Sequence, residues 1–229
     1  IRRETGAKKV NLIGHSQGSL TARYAAALRP DWVASVTSVA GPNNGSELAD
    51  HIHLHYPIDG AKGRIMSALF HLVAWVMGVL ETGYRGPRFK ADLQASHHSL
   101  TSEGVALFNR RYPQGLPETW GGQGAEVVNG VRYYSWSGTL QPGITDRGRN
   151  LFDGTHRSCR LFARSFVREK GQCDGMVGRY SSHLGTVIGD DFALDHFDIV
   201  NQSMGLVGKG AEPIRLFVEH ARRLKAAGV

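Results

Sequence analysis

Apolar and polar positions divide the chain into short strands and amphipathic helices. Val10, Leu12 and Ile13 form an apolar run that ends in a turn, and helix-forming residues occupy 20–28. Residues 17–29 read as a helix with Leu20, Tyr24 and Leu28 on one side, stopped by Pro30-Asp31. Residues 33–39 alternate and are rich in β-branched side chains, the mark of a strand. Strand, helix and strand with short joints predict a right-handed parallel crossover, hence an α/β sheet. Ser46 can cap a short helix through Asp50, and Thr101-Ser102-Glu103 starts another that runs to about Arg111. Val127-Val128-Asn129-Gly130-Val131 predicts a hairpin on a type I′ turn, with an aromatic-rich strand over 132–137. The pattern further predicts a loop over 141–150, a helix over 162–170 and a short apolar segment over 184–188. A closing helix over 213–226 has Pro213 in its first turn, with Ile214, Phe217, Val218, Ala221 and Leu224 inward and His220 on the surface.

Residues 64–81 break the alternation, because nearly every position is apolar. The polar breaks at Arg64, Ser67, His71, Gly78 and Glu81 form one narrow helical stripe. The apolar run is shorter than the roughly 20 residues a membrane span needs. Two readings remain: a buried core helix, or a helix whose wide apolar face covers a site in water and turns toward lipid at an interface.

Composition adds limits rather than a function. The chain has 229 residues, enough for one substantial domain, and a formal net charge of +7. Its Lys and Arg residues are scattered without aromatic interleaving, which argues against nucleic acid and leaves a weak attraction to anionic lipid. Nothing reads as a signal peptide or a transmembrane segment. Residues 1–9 read as the last turns of a helix leading into a strand, so the chain is expected to be an N-terminally truncated piece, spanning 1–229 of a partial domain. Cys159 and Cys173 could pair or remain free thiols.

The chemistry starts at Gly14-His15-Ser16-Gln17-Gly18. A Gly-x-Ser-x-Gly between a strand and a helix holds a serine hydroxyl on a tight turn at a helix N-terminus, where developing negative charge is favoured. Small residues at 14 and 18 are expected to let the turn close. Ser16 needs a base, and the base needs a carboxylate to fix its tautomer. The late histidines are His156, His183, His196 and His220, of which His183 and His196 both stay open. Asp174, Asp190, Asp191 and Asp195 compete for the acid.

At this point the residues resemble a family. The stretches 8–18, Ala22-Arg23-Tyr24, 33–38, 45–50, 111–117 and 128–136 are similar, in order, to the bacterial family I true lipases of the Proteus and Pseudomonas type. So are Asp174-Gly175-Met176-Val177-Gly178 and 195–202. The resemblance implies an α/β-hydrolase fold with a mostly parallel central sheet whose N-terminal strands are missing. It also implies a helical lid within a cap of about 51–100. It implies triacylglycerol ester hydrolysis at an oil–water interface by Ser16, Asp174 and His196, with the Gln17 amide as one oxyanion donor. The alternatives are an esterase or acyltransferase on the same fold, or a non-catalytic calcium-stabilised module.

The resemblance also implies a structural calcium ion (Ca2+) on Asp153, Asp198, Gln202 and the Leu206 carbonyl, a hard oxygen set. Asp146 is the alternative to Asp153. Many Pseudomonas-type members carry a disulfide at positions that fall near Gly121 and at Tyr180, neither of which is cysteine here. The His-Gly loop that supplies the second oxyanion donor in the family is not in this sequence, so the chain as given is expected to be weakly active or inactive. Secretion is implied by the resemblance, and the need for a folding chaperone is left open.

Overall fold

The computed structural model describes residues 1–56, 98–202 and 205–229. The stretch 64–81 and most of the cap expected over 51–100 lie outside the described residues.

Five strands form one sheet. β1 (Val10–His15) lies beside β2 (Val33–Val39), and β2 beside a third long strand, Val131–Gly138, all parallel. The two-residue strand β3 (Val127–Val128) folds back antiparallel on the start of that long strand, here β4. Farther along the same side of β4 runs β5 (Thr186–Phe192), parallel to it. The hairpin between β3 and β4 turns on Asn129 (φ 51°) and Gly130 (φ 72°), the two left-handed residues a type I′ turn requires. β2 is the most interior strand, buried at every position. Its polar residues are consumed internally: Ser35 Oγ donates to Asn11 Oδ1 at 2.7 Å, and Thr37 Oγ1 lies 2.7 Å from His220 Nε2.

The α-helices among the described residues are α1 (Arg2–Thr5), α2 (Gln17–Leu28), α3 (Glu47–His55), α4 (Ser102–Arg111), α5 (Gly154–Phe162) and α6 (Pro213–Ala226). Ser46 and Thr101 cap α3 and α4 through the amides of Ala49 and Gly104. The core has one cluster where Ala22 and Ala26 of α2 meet Val33, Val36, Val131 and Tyr133. A second joins Val39, Trp136 and Ile199 to Phe217 of α6.

Three expectations are corrected. The helix placed at 162–170 begins earlier, as α5, because Asp153 caps it by accepting from the Thr155 amide. Phe166 is already extended. On α2, Tyr24 and Leu28 face solvent, and Ser19, Ala22, Arg23 and Ala26 face inward. Small side chains let this helix lie close to the sheet, and Arg23 reaches Asn109 Oδ1 and the Tyr112 carbonyl at 2.9 and 2.8 Å. On α6 the inward positions are Pro213, Phe217, His220 and Leu224, whereas Ile214, Val218 and Ala221 face outward. His220 is therefore buried rather than on the surface. Arg223 donates to its Nδ1, which leaves Nε2–H to donate to Thr37.

Cys159 and Cys173 are free thiols, both buried. At the two positions where the resemblance implies a disulfide in other members, the ring of Tyr180 packs over Gly121, 3.3 Å from where a Cβ at 121 would stand. The two positions are neighbours, and the aromatic ring fills the space between them.

Candidate active site

Ser16 sits between β1 and α2 with φ 54° and ψ −128°, a conformation that L residues rarely adopt. It persists because both sides of the turn are held. The Ser16 amide donates to the Val39 carbonyl at 3.0 Å, and the Ser19 hydroxyl donates to the Gly14 carbonyl at 2.6 Å. Gly14 is required outright: a Cβ there would stand 2.3 Å from the Gly18 carbonyl oxygen. Gly18 is different, since a Cβ at 18 meets nothing within 4 Å among the described residues. Only one of the two small residues expected to let the turn close is sterically demanded. Gln17 is the first residue of α2, so its amide stands in the turn where the helix dipole favours negative charge.

His196 is fixed at three points. Its Nδ1 lies 2.7 Å from Asp174 Oδ2, its amide donates to the Asp174 carbonyl at 3.0 Å, and its own carbonyl receives His15 Nε2 at 2.9 Å. Asp174 is fully buried, and its other oxygen accepts from the Met176 and Val177 amides at 2.9 and 2.7 Å. That tight turn fixes the carboxylate's direction and keeps Nδ1 of His196 protonated. Burial, and then the charge of a protonated His196, push the His15 ring down to about 3. His15 is thus neutral, with its proton on Nε2 to meet the carbonyl. The two rings stand 4.6 Å apart. The residue next to the serine therefore ties the elbow to the histidine loop. Among the described residues Ser16 Oγ makes no hydrogen bond to His196, a looseness common before substrate is bound.

The competing candidates are engaged elsewhere. His183 has both nitrogens occupied, by the Gly122 carbonyl at 2.8 Å and by Asp190 at 3.0 Å. Burial pushes Asp190 up, but Arg179 and His183 more than offset it and hold the carboxyl below its ordinary value. Asp191 is exposed, and Asp195 accepts from the amides of Phe197 and Asp198.

A second polar cluster lies directly behind His196. His156 is buried with Nδ1 2.8 Å from Asp195 Oδ2 and Nε2 3.1 Å from Asp146 Oδ1. Burial pushes this ring down, but the two carboxylates more than offset it and raise it above the ordinary histidine value. Each ring nitrogen faces a carboxylate oxygen, so neither is turned toward a metal, although His156, Asp195 and Asp198 offer atoms within 4.8 Å of one another. The oxygens remain. Asp153 Oδ2, Asp198 Oδ1 and Asn150 Oδ1 are buried and unpartnered among the described residues. Burial first, then the Asp195 charge, push Asp198 up to about 7, and the Asp153 charge adds to this. Two buried carboxylates, each with a bare oxygen, suit a hard divalent cation. Asp146 is committed to His156 and Arg160 instead. Gln202 follows the turn at Asp198–Val200, its amide bonded to the Phe197 carbonyl and its own carbonyl to the Gly205 amide, and Leu206 is half-buried.

Two members of this constellation were not legible beforehand. His15 was only the variable position of the motif, and its histidine identity was the available signal. Asn150 carried none, since its role depends on the chain path from Thr145 to Asp198, which Nδ2 bridges at 2.9 and 2.7 Å.

Comparison with known proteins gives a consistent assignment. A sequence profile of the alpha/beta hydrolase fold matches residues 1–78. A triacylglycerol lipase of Pseudomonas fragi is 48% identical over 229 residues, covering 100% of this chain and 77% of the relative. One from Vibrio cholerae is 41% identical, covering 98% of this chain and 69% of the relative. The crystal structure of Staphylococcus hyicus lipase superposes with a TM-score of 0.54 at 16% identity, covering 96% of this chain and 71% of that one, which speaks to the fold alone. No helix among the described residues is long and apolar enough to cross a membrane. With this identity over nearly the whole chain, and a serine elbow on a parallel sheet, the chain belongs to the bacterial triacylglycerol lipases of the α/β-hydrolase fold.

Proposed function

We propose that the protein hydrolyses the ester bonds of triacylglycerols with Ser16 as nucleophile, His196 as base and Asp174 as the orienting acid. The observation that carries this reading is His196 held at 2.7 Å on a buried carboxylate and bonded through its carbonyl to the residue before Ser16. His196 Nε2 takes the Ser16 proton as Oγ attacks the ester carbonyl. The tetrahedral oxyanion is met by the Gln17 amide, and the imidazolium is stabilised by Asp174. His196 then protonates the leaving alcohol, and water repeats the sequence on the acyl-enzyme.

We further propose that Asp153, Asp198, Gln202 and the Leu206 carbonyl hold a calcium ion, which would supply charge neutralisation behind the histidine loop. The support is the pair of bare buried carboxylate oxygens and the local charge. Asp153, Asp195 and Asp198 bring three carboxyl groups together here, while Arg160 screens Asp146 at the edge of the cluster. A lid at 64–81 and secretion belong to the same reading, and both rest on kinship; the apolar pattern at 64–81 is compatible with the lid.

Covalent labelling by a fluorophosphonate tests the nucleophile. The wild-type chain is expected to take the label and Ser16→Ala is not; a label that persists in Ser16→Ala removes the assignment. A series from tributyrin to triolein, above and below substrate solubility, tests the lid: the lipase reading expects a rate gain at the interface.

A further inference from the structure

α5 has two faces with opposite duties. Inward, His156 and Cys159 pack against the loops that carry Asp195 and Asp174. Outward, Arg157, Arg160, Leu161 and Arg164 recur at helical spacing and are all exposed. The 3₁₀ turn before α5 (Arg149–Phe152) continues this face, with Leu151 57% and Phe152 82% exposed. The join is direct, because Arg157 donates to the Leu151 carbonyl at 2.9 Å. Arg147 and Arg149 extend it and are exposed too. The one acid between 147 and 164, Asp153, is 2% exposed and points inward. The result is a cationic, apolar-tipped ridge with no exposed carboxylate of its own.

We infer that this ridge docks the protein onto an anionic lipid surface, inserting Leu151, Phe152 and Leu161 while the arginines meet lipid phosphates. Charge complementarity selects this occupant. A second copy of the chain would set arginine against arginine, whereas an anionic headgroup layer accepts both the guanidinium fork and the apolar tips. Bound this way, the protein rests on the helix that packs against the loops of Asp174 and Asp195. The inference concerns adsorption and stands apart from the hydrolytic reading.

Ser16→Ala protein isolates adsorption from turnover. In flotation with phosphatidylcholine vesicles, with and without phosphatidylglycerol, binding is expected only with the anionic lipid and is expected to weaken with salt. Arg147→Gln/Arg149→Gln/Arg164→Gln removes cations that hold no side-chain hydrogen bond or ion pair among the described residues. At roughly fivefold per cation, it should weaken partitioning about 100-fold. The matching Lys triple should keep most of the binding, and Leu151→Ser/Phe152→Ser should lower it roughly tenfold with an unchanged melting midpoint. The inference is overturned by absence of binding to anionic vesicles, by equal binding to neutral ones, or by binding that neither variant alters. It is also overturned by a dimer in solution that Leu151→Ser/Phe152→Ser dissociates.

Discussion

His196 with Asp174 and His183 with Asp190 use the same two residue types at similar distances, 2.7 and 3.0 Å, and both histidines are buried. They differ in what each pair leaves over. His183 spends its second nitrogen on the Gly122 carbonyl, and Asp190 is shared with Arg179 at 2.7 Å. Every strong group is consumed, and the pair is a brace between the 122 turn and β5. His196 spends one nitrogen on Asp174, and among the described residues its Nε2 carries no hydrogen bond. Its ring stands against His15, beside the strained serine. Pairing with a carboxylate therefore does not make a histidine a base. What sets His196 apart is its uncommitted nitrogen and the neighbouring serine.

The largest test substitutes the two histidines separately. His196→Ala should lower ester turnover by ~10⁴-fold or more and, by stranding the buried Asp174, cost roughly as much stability as His183→Ala, about 2–3 kcal/mol. His183→Ala should leave kcat within about tenfold, yet cost about 2–3 kcal/mol of stability by stranding Asp190 and the Gly122 carbonyl. Urea denaturation beside kinetics reads both effects, and a catalytic loss in His183→Ala with intact stability would invert the assignment.

A third histidine sharpens the contrast at intermediate cost. His156 is clamped between two carboxylates, and Asp153 and Asp198 beside it keep bare oxygens. Chelation with EGTA should lower the thermal midpoint by about 5 °C or more. Asp153→Asn and Asp198→Asn should lose that sensitivity. An unchanged midpoint on chelation would leave the bare oxygens to water.

The fourth histidine has no carboxylate, and its effect is the smallest. Burial, and then the Arg223 charge, depress His220 to about 4. The unfolded chain binds that proton at higher pH than the native one, so stability is full above about 6.5 and falls as pH drops toward 4. His220→Leu should flatten that part of the urea midpoint against pH, whereas a slope unchanged in the variant would assign the acid sensitivity elsewhere.

These histidines also mark where the sequence stopped being legible. The serine elbow, the β2 strand, the Asn-Gly hairpin and both capped helices follow from local rules of spacing and turn chemistry, and each lies where those rules put it. The helix faces did not follow. Reading α6 by its apolar residues misplaced its phase, because His220 is an inward polar residue satisfied by Thr37 across the chain. Reading α2 the same way misplaced Tyr24 and Leu28, because Arg23 turns inward to acceptors on α4 and just beyond it. A buried polar group announces itself only through a distant partner, and distant partners are what one sequence does not display. The same limit applied to the base. His183 and His196 are both late histidines with aspartates within a few residues, and only the fold separates the brace from the catalytic candidate.

The two thiols acquire a use from where they sit. Cys173 immediately precedes Asp174, and Cys159 lies so close beneath Gly175 that a Cβ there would stand 2.5 Å from its own. Burial pushes Cys173 up to about 12 and Cys159 well above the ordinary thiol value, so neither is nucleophilic in the closed structure. They are silent reporters on either side of the acid's turn. The rate at which an alkylating reagent finds them is a clock for the opening of that turn, read without substrate and apart from global unfolding.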